Sequence, residues 1–352
     1  MKERLVARFG VWMQMMAVCL LSLVSCKVDF SPNAAWQEYP VVYGILDQDD
    51  DTSYIRIQKC YLGEGGQYGY GNVFDSINYP AGSLRVVVLE WPAWQDENGL
   101  LQRTGAPVSD SLVFNYVLSS DKDSGSFFSE AQPLYVCRTA GLLDSSCLYQ
   151  LVVTKVSSGD TLCTAETALI GGNMRLHTPN NTTRFLFSGS GRKTCDIQWS
   201  TVDRGRRYMP MVRFRYRDFI IEGLDTTITY HHIDIPCGTV LSSMTSQSEG
   251  ISLGESLFLN TIKDQLKDYV VNRNPVDTVD IYIKVCSEDL SAYIYSAAQS
   301  SSSTPSLYSY SNINKGLGVF ASRRTHIMFH VKAPGEAASQ YRKNLKELNV
   351  GF

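Results

Sequence analysis

Side chains that alternate in character with a period of two most constrain how this chain can fold. Ile55, Ile57 and Lys59 alternate in side with Arg56, Gln58 and Cys60, as in a strand with one face buried and one face wet. Similar runs over 39–46, 53–62, 84–91, 112–118 and 148–156 predict strands. The acidic stretch from Asp47 to Asp51 predicts a hairpin turn between the first two. Twenty Tyr and fourteen Phe, beside many Val and Ile, suit pleated and half-buried surfaces. Residues 39–170 are therefore expected to form an antiparallel β-sandwich of immunoglobulin-like or transthyretin-like proportions.

Segment 171–182 is polar and turn-rich, and it predicts a linker. Residues 183–334 mix signals and predict a β-rich α+β domain. Strands are expected over 208–216, 226–234, 279–286 and 325–331. A helix over 257–270 would carry the stripe Leu259, Ile262, Leu266 and Tyr269, with a shorter helix over 288–298. Residues 335–352 predict a terminal helix and tail. The fold class expected is thus mainly β, a sandwich followed by an α+β domain.

The first 38 residues have another character. Lys2, Arg4 and Arg8 precede an apolar run from Val11 to Val24 that ends in Leu23-Val24-Ser25-Cys26. A membrane-spanning helix needs about 20 apolar residues, and this run is shorter. The pattern is that of a signal peptide, 1–25, with a lipobox. Its cleavage would leave Cys26 carrying diacylglycerol and palmitate at the start of a tether, 26–38.

Loss of residues 1–25 removes three of the 32 basic and one of the 35 acidic residues, leaving a formal net charge of −5. That balance argues against nucleic acid as a partner and against electrostatic adhesion to anionic lipid, so the lipid on Cys26 would hold the membrane. Seven cysteines follow Cys26, an odd number without any Cys-x-x-Cys spacing, which disfavours a zinc knuckle or a redox motif. Most are expected as small buried apolar groups, and Cys137 and Cys147 are candidates to close a hairpin.

No catalytic set, metal site or cofactor motif is expected. Asp47, Asp49 and Asp51 imitate the start of a calcium loop, but Thr52 and Gln58 stand where Gly and Glu are required. His326 and His330 fall on one strand face without a His-Glu-x-x-His helix, and His231 and His232 point to opposite faces. There is no Gly-x-Ser-x-Gly elbow. Candidate partner-contact residues are Tyr68 and Tyr70 in a Gly/Tyr-rich loop, and Trp91 and Trp94 in Trp-Pro-Ala-Trp. Arg213, Arg215 and Arg217 alternate with Val212, Phe214 and Tyr216. A solvated sheet face is the first reading of that row and an anionic-partner site the second.

Several blocks in order resemble an uncharacterised lipoprotein family of Bacteroidota, known only as a domain of unknown function. They are Pro40 to Asp47, Asp51 to Lys59, Cys286 to Leu290 with Tyr293, and Tyr310 to Ile313 with Gly316 to Phe320. The resemblance implies a cell-envelope lipoprotein, often encoded near TonB-dependent transporters, and no catalytic residues. The expected function is a non-enzymatic, outer-membrane, lipid-anchored accessory or cargo-binding partner of such a transporter. A surface glycan-binding or adhesin-like module built on Tyr70, Trp91 and Trp94 stays open beside it, as do both faces of the membrane.

Overall fold

The computed structural model describes residues 38–60, 73–97, 100–108, 112–120, 131–180, 185, 187, 193–222, 225–243, 245–266, 272–300, 310–332 and 342–352. The signal peptide, Cys26, the tether, Tyr68 and Tyr70 lie outside the described residues. Residues Tyr39–Phe352 cluster as one compact unit, and the fold is mainly β.

The first half contributes β1 (Pro40–Asp47), β2 (Thr52–Lys59), a helical turn α1 (Phe74–Ile77), β3 (Leu84–Gln95), β4 (Leu101–Arg103), β5 (Leu112–Ser119), β6 (Gln132–Arg138), β7 (Cys147–Lys155) and β8 (Thr161–Ala168). The second contributes β9 (Leu176–Thr178), β10 (Thr194–Ser200), β11 (Arg207–Glu222), β12 (Asp225–Pro236), β13 (Val240–Leu241), β14 (Ser248–Gly254), α2 (Glu255–Gln265), β15 (Arg273–Cys286), α3 (Glu288–Ser300) and β16 (Leu317–Lys332). A last helical turn covers 342–347.

One sheet path runs β12-β11-β15-β16-β1-β2-β6-β5-β3-β7-β8, with β13 on β11 and β4 on β3. A separate small sheet has the order β14-β10-β9. β5 changes partners along its length: Leu112 to Phe114 pair with β3, and Asn115 to Ser119 pair with β6. Strands on both sides of that change contribute to one shared core. Val42, Ile55, Ile57 and Phe320 come from one side; Val86, Val88, Leu151 and Val153 come from the other.

The second core sits between the small sheet with α2 and one face of β11, β12 and β15. Trp199, Leu253, Phe258 and Ile262 pack there with Val212, Phe214, Ile235, Ile281 and Ile283. α2 begins directly after Gly254, with Glu255 in its first turn and Lys263 in its last, charges suited to the two ends of a helix dipole. On the opposite face of the large sheet, Leu290 of α3 covers Cys286, Val319 and Ala321.

The two cores divide between Leu169 and Ile170. The backbone does not divide there. β1 and β16 pair in parallel, and Ile313 and Phe320 from the second half enter the first core. Arg204 donates to the carbonyls of Leu169 at 2.7 Å and Ser145 at 2.9 Å. The segment expected as linker, 171–182, contributes β9 to the small sheet. At the β1–β16 junction Gly318 has φ 104°, and a Cβ there would overlap the Val42 carbonyl oxygen, so only glycine lets the two strands approach so closely.

Candidate functional site

Trp91 and Trp94 stand three residues apart on β3, which sends them to opposite faces. Trp94 is 56% exposed, near the β3–β4 turn and opposite Gln102. Trp91 is half-buried. Its Nε1 donates to Gln150 Oε1 at 3.1 Å, and the Arg103 guanidinium lies 4.7 Å from its ring while pairing with Glu166. The structure therefore does not join the two indoles into one platform.

The acidic turn between β1 and β2 ties down β16. Asp47 and Asp50 accept from Arg323 at 2.8 and 3.2 Å, and Asp49 accepts from the Thr325 N–H at 2.8 Å. These carboxylates thus have protein partners, as a turn requires and a calcium loop does not. Burial pushes the Asp47 carboxyl above its ordinary pKa, and the bond from Arg323 opposes that without cancelling it. His231 stacks on Tyr216 with centroids 5.2 Å apart, and His232 pairs across from Arg215 on the other face. His326 is held below its usual pKa by burial and by Arg324, while the side chain of His330 is outside the described set. No disulfide joins any of the seven described cysteines, so Cys137 and Cys147 do not close the expected hairpin. Burial raises Cys147 and Cys286 to about 11, and Cys163 and Cys237 to about 12, which makes them inert apolar fillers.

The arginine row of β11 is more informative. Val212, Phe214 and Tyr216 are buried, while Arg213, Arg215 and Arg217 take the other face. Arg213 grips Asp234 of β12 with two bonds, 2.6 and 2.8 Å long, and lies over the Tyr282 ring at 4.6 Å. That fork holds the Asp234 carboxyl below the ordinary carboxylate range. Arg215 pairs with buried Asp280 of β15. Arg217 breaks the series: its cross-strand neighbours are Tyr230 and Asn274, both uncharged. It packs over Phe219 at 5.4 Å, and its Nε is buried without a hydrogen-bond partner.

Arg217 lies on the wall of a cleft of about 640 Å³, together with Tyr230, Arg273, Arg342, Lys346 and Phe352. The cleft lies beside the start of β15; among the described residues β16 pairs with β15 as far as Thr278 and Lys332. Arg273 is fixed from behind. It donates to both carboxylate oxygens of buried Asp218 at 2.8 and 3.1 Å, and to the Val350 carbonyl at 2.8 Å. Of its five N–H groups, three are so used and two remain. Arg342 and Lys346 stand one helical turn apart on 342–347, hence on one helix face. No Asp or Glu occurs among the described lining residues. Sequence reasoning marked Arg217 but missed Arg273, Arg342 and Lys346, which no spacing connects to it.

No group of three or more His, Cys, Asp or Glu side chains suited to a metal occurs among the described residues, and no described helix is long and apolar enough to cross a membrane. No protein-family model matches the sequence, and no curated protein matches it. Among solved structures, this chain is similar to the C-terminal globular domain of an oligosaccharyltransferase from Pyrococcus abyssi. The match covers 85% of this chain at 8% identity and a TM-score of 0.26, and the chain spans 50% of that structure.

Proposed function

We propose that this chain is a non-enzymatic, lipid-anchored binding protein of the outer membrane, acting as an accessory or cargo-binding partner of a TonB-dependent transporter. The observation that carries the binding role is the cleft beside β15, whose size suits a small ligand and whose described lining includes four basic side chains and two aromatic rings among polar and aliphatic ones. The lipobox ending in Cys26 supports the anchor, and the resemblance to envelope lipoproteins supports the partner. For the first half we infer an immunoglobulin-like or transthyretin-like sandwich; the change of partners along β5 and the shared core support it.

Metabolic labelling with a palmitate analogue tests the anchor: label is expected on the wild type and lost in Cys26→Ala. Pull-down from gently solubilised membranes tests the partner. A folded, labelled protein that never brings down a transporter rejects the accessory role. Protease shaving of intact cells then separates a surface position from a periplasmic one.

The exposure of Trp94 favours a second reading, a surface glycan-binding or adhesin-like module. Glycan-array binding that disappears in Trp94→Ala would favour it over the first. An array without any signal rejects it.

A further inference from the structure

The two ends of the large sheet are finished differently. At one end β8 is covered by the chain itself: Thr164 and Asn314 exchange backbone hydrogen bonds of 3.3 and 2.8 Å, and the Asn312 side chain donates to the Glu166 carbonyl at 3.4 Å. At the other end β12 pairs with β11 without a bulge, and no described strand pairs with its outer edge. Natural edge strands are guarded by Lys, by Pro, by bulges or by shortness. From Asp225 to Ile235, β12 has none of these.

The distal half of β12 is also exposed: from Asp225 to His232, only Thr229 is half-buried. One face of the hairpin tip is apolar. Ile228 and Tyr230 are 43% and 73% exposed; Ile221, paired with Thr226, is 60% exposed, and Phe219 lies across from Ile228. An apolar patch beside an open strand edge fits another strand, which satisfies the backbone while it covers the patch. β12 is self-complementary in one register. Two copies set antiparallel about a two-fold axis at Ile228 place Asp225 opposite His231 of the second copy, Thr226 opposite Tyr230 and Thr227 opposite Thr229. A carboxylate then meets an imidazole, two threonines meet, and no like charges face each other. A shift of two residues either way puts Asp225 against Thr229 or Ile233 instead. Within its own chain His231 has Asp218 at 3.7 Å and Thr229 at 3.1 Å, both on Nε2, which leaves Nδ1 without a partner among the described residues.

We propose that this chain forms a two-fold dimer in which β12 pairs antiparallel with β12 of a second copy, Ile228 standing at the axis. The row from Phe219 to Ile228 then continues into Ile228 and Phe219 of the second copy, and the two large sheets become one. Such a contact is isologous, so it closes at two copies and does not propagate. The overlap, 225–231, stays clear of α2, whose Phe258 and Ile262 share a core with the Ile233 and Ile235 end of the strand. An overlap this short belongs to the small class of interfaces, below about 1,200 Å², whose members associate weakly. The inference rests on the edge strand alone, so it stands or falls independently of lipid anchoring and of any transporter.

The test is sedimentation equilibrium of the purified full-length chain in detergent over a wide range of concentration, with cysteine cross-linking of the same samples. A reversible dimer is expected. Ile228→Lys sets two ammonium groups against each other at the axis and is expected to weaken it about tenfold or more, while Val156→Lys, on another exposed residue, leaves it unchanged. Under a mild oxidant Ile228→Cys is expected to give a disulfide-linked dimer above the wild-type level, because residues directly opposite in an antiparallel pair have Cα atoms about 4.5–5.5 Å apart. Thr226→Cys alone should not cross-link, and Thr226→Cys combined with Tyr230→Cys should. These three positions are exposed, so the cross-linking arm keeps the test valid if Ile228→Lys fails to fold. A monomer at every concentration overturns the proposal. A dimer indifferent to Ile228→Lys, or one that cross-links through Thr226→Cys alone, overturns it as well, since the interface or its register then lies elsewhere.

Discussion

The two cores of this protein are made from similar strands, yet they treat charge differently. The first packs aliphatic side chains such as Val42, Ile55, Val86 and Leu151 with rings such as Phe114 and Tyr149, and the Asp47–Arg323 ion pair stands at the β1–β2 turn. The second encloses an aromatic cluster around Phe258 and carries the buried Arg273–Asp218 pair at its margin, next to a cleft. A buried ion pair is a poor source of net stability, because desolvation of both charges offsets their attraction. Here the pair fixes the Arg273 guanidinium beside the cleft. The contrast separates a half whose core carries no such pair among its described members from a half with a buried guanidinium at the edge of a cleft.

The largest expected effect tests whether the halves are truly distinct. Trp199→Ala in the second core and Leu151→Ala in the first, both fully buried, should cost about 3–5 and about 2–5 kcal/mol respectively. Because β1 and β16 join the halves, urea unfolding followed by fluorescence and by circular dichroism should give one coincident transition for each variant. Two separated transitions, only one of which moves, would break the picture of a fused pair.

Arg273→Met comes next, with a loss of about 3 kcal/mol or more, because Asp218 would be left buried and unpaired. Adding Asp218→Asn should restore much of that stability, because it removes the unpaired buried charge. A double variant as unstable as Arg273→Met alone would mean that the loss comes from packing rather than from the pair. Gly318→Ala should cost about 1–3 kcal/mol, since the residue has positive φ and a Cβ would meet the Val42 carbonyl. A neutral result by thermal melting would show that the β1–β16 junction yields easily.

The smallest effect is in pH dependence, where one carboxyl from each half should act with opposite sign. Asp234 sits below the ordinary carboxyl value of 3.8, so its pairing stabilises the fold above that pH and the contribution is lost as pH falls through the folded value. Asp47 sits above 3.8, so its contribution is present below 3.8 and is lost as pH rises through its folded value. Urea midpoints measured across the acid range should therefore flatten below pH 4 in Asp234→Asn and flatten above pH 4 in Asp47→Asn. Identical profiles in the two variants would remove the electrostatic distinction between the halves.

Local pattern made much of the second half readable. Alternation over 208–216 found β11, which the structure extends to Arg207–Glu222, and the stripe through Ile262 found α2. Phe258, fully buried on that helix, was passed over for its neighbour Leu259, because both fit a helical stripe and only packing chooses between them. β10 was missed although Cys195, Ile197 and Trp199 alternate with Thr194, Asp196 and Gln198, which was a usable signal. β8 was missed for a better reason: Thr161 to Ala168 is rich in Thr and Ala, and its strand character comes from pairing with β7.

By itself the sequence determined the chemistry of single segments: period-two runs that must be strands, an acidic turn, an odd set of small thiols without metal spacing, and an arginine row with one wet face. Tertiary structure alone decided which distant segments meet. Asp47 and Arg323 are 276 residues apart, and the cleft draws Arg217, Arg273 and Lys346 from three separate elements. Periodicity reports the surroundings of a residue along its own strand or helix, whereas a site depends on contacts between elements, and those are fixed only when the whole apolar surface finds its partner.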